Sequence, residues 1–223
     1  MIALLSGLLA GAVHVWSGPD HLTAIAPLAV QQSRRAWLPG LRWGIGHSSG
    51  VAIIGVLSLM LREVLPVDLL SFWSERLVGV MLIGIGLWAL NKALRHTLHS
   101  HHHQHAGEHH VHLHLHASKS PHPAQTPHRH THAAFGIGIL HGLAGSSHLL
   151  GILPMLAFPT RTQALCYLGA FAAGTVMSMT GFSWTMGYAA QRTAGGNLIF
   201  YRPLMVCCGL AAMVVGALQI ART

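Results

Sequence analysis

His14, Asp20 and His21 stand inside an apolar run, GAVHVWSGPDHLTAIAPLA over 11–29, interrupted at Gly18-Pro19. Ionisable side chains at bilayer depth are costly and are generally retained for a function. Two imidazoles and one carboxylate make a donor set for nickel, cobalt, zinc or copper rather than for magnesium or calcium, which favour oxygen ligands. The donor types do not rank those four metals, because affinity in such a site follows the Irving–Williams order. Asp20 is the only one of the five acids well inside an apolar stretch, Glu75 standing at the start of another, and a bound cation would favour its charged form.

Seven residues separate His14 from His21. In an unbroken helix they share a face but stand roughly 10 Å apart along the axis at about 1.5 Å per residue. Imidazole nitrogens on one metal ion must each lie about 2 Å from it. A straight helix therefore separates the pair too far for joint ligation. Gly18-Pro19 supplies the remedy, because proline removes a backbone donor and glycine permits a change of direction. A helix broken there folds Asp20 and His21 back toward His14.

The stretch occurs twice. Residues 138–157 read GILHGLAGSSHLLGILPMLA, and an offset of 127 carries Gly11, His14, Gly18, His21 and Pro27 onto Gly138, His141, Gly145, His148 and Pro154. Asp20 falls on Ser147, so the second copy lacks the acid. His47, on a neighbouring apolar segment, is a further candidate ligand, and Ser48 and Ser147 offer oxygen. The candidate metal set is thus His14, Asp20, His21, His47, His141 and His148. A single histidine in a membrane helix is as readily a hydrogen-bonded packing residue, so it is the clustering that points to a metal.

The elements that must hold these residues follow from composition. Of 223 residues, 52% are hydrophobic and 8% charged, against about 25% charged in a typical soluble domain. Mean hydropathy is +0.49. This is the composition of an integral membrane protein. The excess of 13 Lys and Arg over five acids lies mainly between apolar segments, as membrane topology requires, and no nucleic-acid motif accompanies it. No basic n-region precedes the first apolar run, so no cleaved signal peptide is expected.

Six segments are apolar and long enough to span a bilayer: 2–30, 38–61, 72–94, 133–158, 162–188 and 203–220. Glycines recur in them at a density that lets helices approach closely in lipid. Between the third and fourth segments the composition changes abruptly, and 15 of the 20 histidines lie in 95–132. Without apolar periodicity this connector reads as a disordered loop. The duplication continues more weakly, with Gly46 on Gly174 at an offset of 128, and Gly79 and Gly86 on Gly209 and Gly216 at 130. An odd number of spans reverses the second half. The expected fold is an all-α integral membrane protein of six transmembrane helices, arranged as two inverted three-helix repeats, 1–94 and 133–223, joined by a His-rich loop over 95–132. Nine of the Lys and Arg fall on the connector side and four on the other. Basic residues favour the cytoplasm, which predicts a cytoplasmic connector and external termini in the inner membrane.

The segments HVWSGPDHLTAIAPLA at 14–29, WGIGHSSG at 43–50 and HGLAGSSHLLGILP at 141–154 resemble the nickel/cobalt transporter superfamily, particularly its UreH-like and NicO-type branch. The resemblance covers both membrane halves. It implies a polytopic membrane protein that moves Ni2+ or Co2+, in some members inward and in others outward. His14, Asp20 and His21 are similar to the superfamily's His-x4-Asp-His signature, although five residues separate His14 from Asp20 here. The same resemblance implies no enzyme activity and no permanently bound cofactor; the ion is cargo, and the donors admit Zn2+ as well. The implied partners are a divalent metal ion, the lipid bilayer, and urease or other nickel-enzyme accessory proteins, with no nucleic acid.

Two other classes compete. A thiol oxidoreductase similar to the DsbD-type transmembrane domain would need reactive cysteines at matching places in the two halves. Cys166, Cys207 and Cys208 correspond to no cysteine in the first half. A membrane metal-binding scaffold for nickel-enzyme maturation would use the same donors without flux. No phosphate-binding P-loop is present, so ATP coupling within this chain is excluded.

Overall fold

A computed structural model describes residues 1–32, 35–60, 67–95, 99–105, 108–114, 131–144, 146–194 and 198–222. The described residues form eight helices and one hairpin. The helices are α1 (Ile2–Ser17), α2 (Pro19–Gln31), α3 (Trp37–Met60), α4 (Val67–Arg95), α5 (Thr131–Ala144), α6 (Ser146–Leu156), α7 (Arg161–Ala194) and α8 (Leu198–Ala221), and strands β1 (His99–His105) and β2 (Glu108–His114) lie between α4 and α5. Three helical stretches, Glu75–Leu94, Arg161–Arg192 and Phe200–Ala221, are long and apolar enough to cross a membrane alone. The pair α1–α2 qualifies as a fourth span, bent by 74° at Gly18. Among the described residues three or four such spans stand where the sequence predicts six. α3 has the length, but Arg42, His47, Ser48 and Ser49 dilute its apolar residues.

The surfaces fit a lipid surround. Leu77, Val80 and Leu87 on α4, and Leu210, Val214 and Leu218 on α8, are exposed, whereas Ala24, Ala89 and Ala212 are fully buried. Large apolar groups outside and small ones between helices are the pattern that packs helices in lipid. α1 runs mainly along α7, α5 along α3, and α4 along α8. Glycine makes these approaches feasible. A Cβ on Gly11 would meet the backbone of Phe171 and Thr175, and one on Gly138 would meet that of Trp43 and His47. Gly46 faces the backbone of Phe135 and Ile139, while Gly174 faces that of Leu8 and Ala12. Each of these contacts is carried onto its counterpart by the offsets of 127 and 128 read in the sequence. Gly79 faces Gly216, and Gly86 faces Gly209.

The connector differs from the expected disordered loop. β1 and β2 pair antiparallel, with His99 opposite His114, His101 opposite His112, and His103 opposite His110. Pairing satisfies the backbone donors and acceptors locally, and only Ala106-Gly107 separates the strands, a length suited to a tight hairpin. Composition alone conceals this because histidine gives no apolar periodicity. Residues 115–130 lie outside the described set. Two expected loops are also shorter than the polar residues imply. α4 already begins at Val67, and α8 begins at Leu198 with Pro203 inside it.

Candidate metal centre

The site begins at a helix break. α1 ends when the Gly18 N–H donates to the His14 carbonyl at 3.1 Å, and Gly18 itself is extended (φ −93°, ψ 98°). Pro19 then opens α2, a position where its missing N–H costs nothing. Asp20 lies in the first turn of α2, where unpaired backbone N–H groups and the helix dipole favour a carboxylate. The 74° bend returns His21 to His14, with ring centroids 4.6 Å apart. Gly18 must lack a side chain, because a Cβ there would collide with His21 Nδ1 and lie 2.7 Å from Asp20 Oδ1.

Two more helices complete the cluster. His47 comes from the middle of α3 and His141 from the last turn of α5. They meet because Gly142 packs on the backbone of His47, leaving no room for a side chain between the helices. The ring centroids of His47 and His141 are 5.4 Å apart, those of His21 and His47 4.9 Å, and those of His21 and His141 4.8 Å. Asp20 bridges the two halves. Its Oδ1 lies 3.0 Å from His21 Nδ1, and its Oδ2 lies 3.2 Å from His141 Nε2. All five side chains are buried: His21, His47 and His141 have no exposed surface, His14 is 8% exposed and Asp20 7%.

Two overlapping donor trios result, His14–His21–His47 and Asp20–His21–His141, in each of which one ligand atom per residue lies within 4.8 Å of the others. Donors bound to one transition-metal ion stand about 3–4 Å apart, given metal–nitrogen distances near 2 Å. A contraction of about 1 Å would therefore close either trio on an ion. His21 belongs to both. With neutral imidazoles the cluster carries one negative charge, the sign that complements a cation.

Of the six residues read from the sequence, five converge. The backbone of His148 lies in α6, but its side chain falls outside the described residues. The same holds for Ser147, while Ser48 instead donates to the Ala172 carbonyl at 3.3 Å and ties α3 to α7. The sequence reading passed over the cluster's walls. The Phe171 ring lies tilted at 42° to that of His14 with centroids 5.4 Å apart, and Trp43 meets His141 edge-on at 6.0 Å. Fully buried Thr175, which donates to the Gly11 carbonyl at 3.4 Å, occupies the position equivalent to His47 in the second half. The offset of 128 identifies Thr175, although its side chain carries no metal-ligand signal. Cys166, Cys207 and Cys208 are free; the first two are exposed and the third is buried.

Three known proteins are similar over most of the chain. The chloroplast proteins FOR GROWTH AND FERTILITY 1 and 2 of Arabidopsis thaliana are 33% and 32% identical to it over 187 residues, 83% of this chain. The chain spans about half the length of these plant relatives, 50% and 47%. The urease accessory protein UreH of Bacillus sp. (strain TB-90) is 34% identical over 190 residues, which cover 82% of this chain and 75% of UreH. No family model and no solved structure matches.

Proposed function

The chain belongs to the family of the urease accessory protein UreH, and from that membership we propose that it is a secondary transporter of divalent transition-metal ions, with nickel or cobalt as cargo. The observation that carries this reading is the convergence of Asp20 with His14, His21, His47 and His141 from four helices into one buried cluster. The donor chemistry fits nickel, cobalt or zinc. A relative whose name ties it to urease, a nickel enzyme, favours nickel and makes nickel-enzyme accessory proteins the partners to seek.

His21 is the pivot of the reading. One trio draws on α1, α2 and α3, and the other on α2 and α5. An ion passed between the trios keeps His21 as a ligand and exchanges His14 and His47 for Asp20 and His141. The six-span plan with two inverted repeats, 1–94 and 133–223, belongs to this proposal. It is supported by the glycine contacts that recur at sequence offsets of 127 and 128, and it suits alternating access by rocking one repeat against the other. The basic residues favour a cytoplasmic connector and external termini in the inner membrane.

The hairpin supplies capture. Its register sets His99 opposite His114, His101 opposite His112 and His103 opposite His110.

The test is metal flux into proteoliposomes holding the native full chain or His21→Ala. Nickel or cobalt flux that disappears in the variant, while helical content and monodispersity persist, supports the proposal. Equal flux in both eliminates it, and metal binding without flux in the native chain favours a scaffold instead.

A further inference from the structure

A cavity of ≈ 330 Å³ opens among α2, α3, α4 and α5. Its lining comes from the last residues of α2 (Gln31), the first turns of α3 (Arg42) and α5 (Ala134), and the later turns of α4 (Trp88). All four helices present the end nearest the connector, so the cavity lies near one membrane face. Its walls are chemically divided. Ile85, Trp88 and Ile137 make an apolar chamber, while Arg42 and Gln31 make a polar end.

Arg42 Nη1 is buried and has no hydrogen-bond partner among the described residues. A cationic N–H left in that state is expensive, more so at bilayer depth. The Lys92 ammonium lies 5.4 Å from the centre of the Trp88 ring but is not part of the lining. Neither Asp20 nor any other acid lines the cavity. A guanidinium with Nη1 buried, beside an apolar chamber at a helix-end level, matches a molecule with an anionic head and a hydrocarbon tail. Inorganic phosphate would leave the chamber empty, and a zwitterionic lipid would bring no net negative charge to the guanidinium.

We propose that this cavity binds one anionic phospholipid from the leaflet on the connector side, with its phosphate against Arg42 and an acyl chain against Ile85, Trp88 and Ile137. Basic pockets between membrane helices on the cytoplasmic side recognise such head groups. The proposal needs only the membrane setting and stands apart from the transport reading. Its consequence is mechanical, because the lipid would brace α3 and α5, which carry His47 and His141.

The experiment is native mass spectrometry of the full chain, delipidated in detergent and titrated with phosphatidylglycerol, phosphatidylethanolamine or inorganic phosphate. The expected result is one phosphatidylglycerol bound about tenfold more tightly than phosphatidylethanolamine. Arg42→Gln should remove that preference and Arg42→Lys retain it. Gly84 lines the cavity, and a Cβ there meets nothing within 4 Å. Gly84→Leu should therefore fill the chamber and weaken both lipids while leaving Arg42 in place. Equal binding of the two lipids by the native chain would overturn the proposal without recourse to any variant. So would a preference that survives Arg42→Gln, phosphatidylglycerol binding unchanged by Gly84→Leu, or competition by free phosphate as strong as that by phosphatidylglycerol.

Discussion

Asp20→Asn keeps the shape of the side chain and removes its charge. In the native cluster Oδ1 serves His21 at 3.0 Å and Oδ2 serves His141 at 3.2 Å. Asparagine has one carbonyl oxygen and one amide nitrogen, so it can accept from one imidazole but must donate to the other. The second imidazole then turns or changes tautomer, and one charge-assisted contact is lost, a loss of about 1.5–3 kcal/mol. Removing a partner that orients metal-binding histidines costs about 10–100-fold in metal affinity, or about 1.4–2.8 kcal/mol, so the two routes agree. Loss of the one negative charge of the site acts in the same direction. Nickel titration of the purified chain by calorimetry should therefore show a dissociation constant raised by about 10–100-fold, with helical circular dichroism unchanged. Half-saturation in the flux assay should move by a similar factor. A dissociation constant within about twofold of native would refute the reasoning, because it would mean that neither contact of Asp20 serves the ion.

Gly18→Ala drives a methyl group against His21 Nδ1 and Asp20 Oδ1, so calorimetry should show nickel affinity falling about as far as in Asp20→Asn, by about 10–100-fold, although no donor has been removed. Gly11→Val and Gly138→Val each force a side chain into the backbone of the facing helix; thermal unfolding in detergent should show both destabilised by about 1–3 kcal/mol and by similar amounts, since the sites are counterparts. In the hairpin, replacing His101, His103, His110 and His112, which the register pairs across the two strands, by Ala should lower the number of nickel ions bound at equilibrium dialysis.

Much of this arrangement could be read from residue types and spacing. His14, Asp20 and His21 announce themselves because charge is rare in lipid, and Gly18-Pro19 marks the bend because both residues act on the backbone locally. The duplication also ties His141 to His14 through the offset of 127. What could not be read depends on packing between distant helices. Nothing near His141 in sequence indicates that its Nε2 faces the Asp20 carboxylate, since the second copy has Ser147 where the first has the acid. Trp43, Phe171 and Thr175 wall the site, but their types suit any buried position equally well. The hairpin was hidden for the opposite reason: a strand of alternating histidines has the period of a β-ladder, but one written in a residue that composition counts as polar throughout.

The cross-packing of α1 on α7 and of α5 on α3 has a bearing on biogenesis. The opening helix of each half finds its main neighbour in the other half, so neither half is a self-contained folding unit. α1 leaves the ribosome well before α7, which starts at Arg161, and must wait in the bilayer with its glycine seam facing lipid. Its early companion is α2, and the kink between them hides Asp20 only once α5 has delivered His141. Until α5 supplies His141, Asp20 has only one of its two imidazole partners, so completion of the site waits on the second half of the chain.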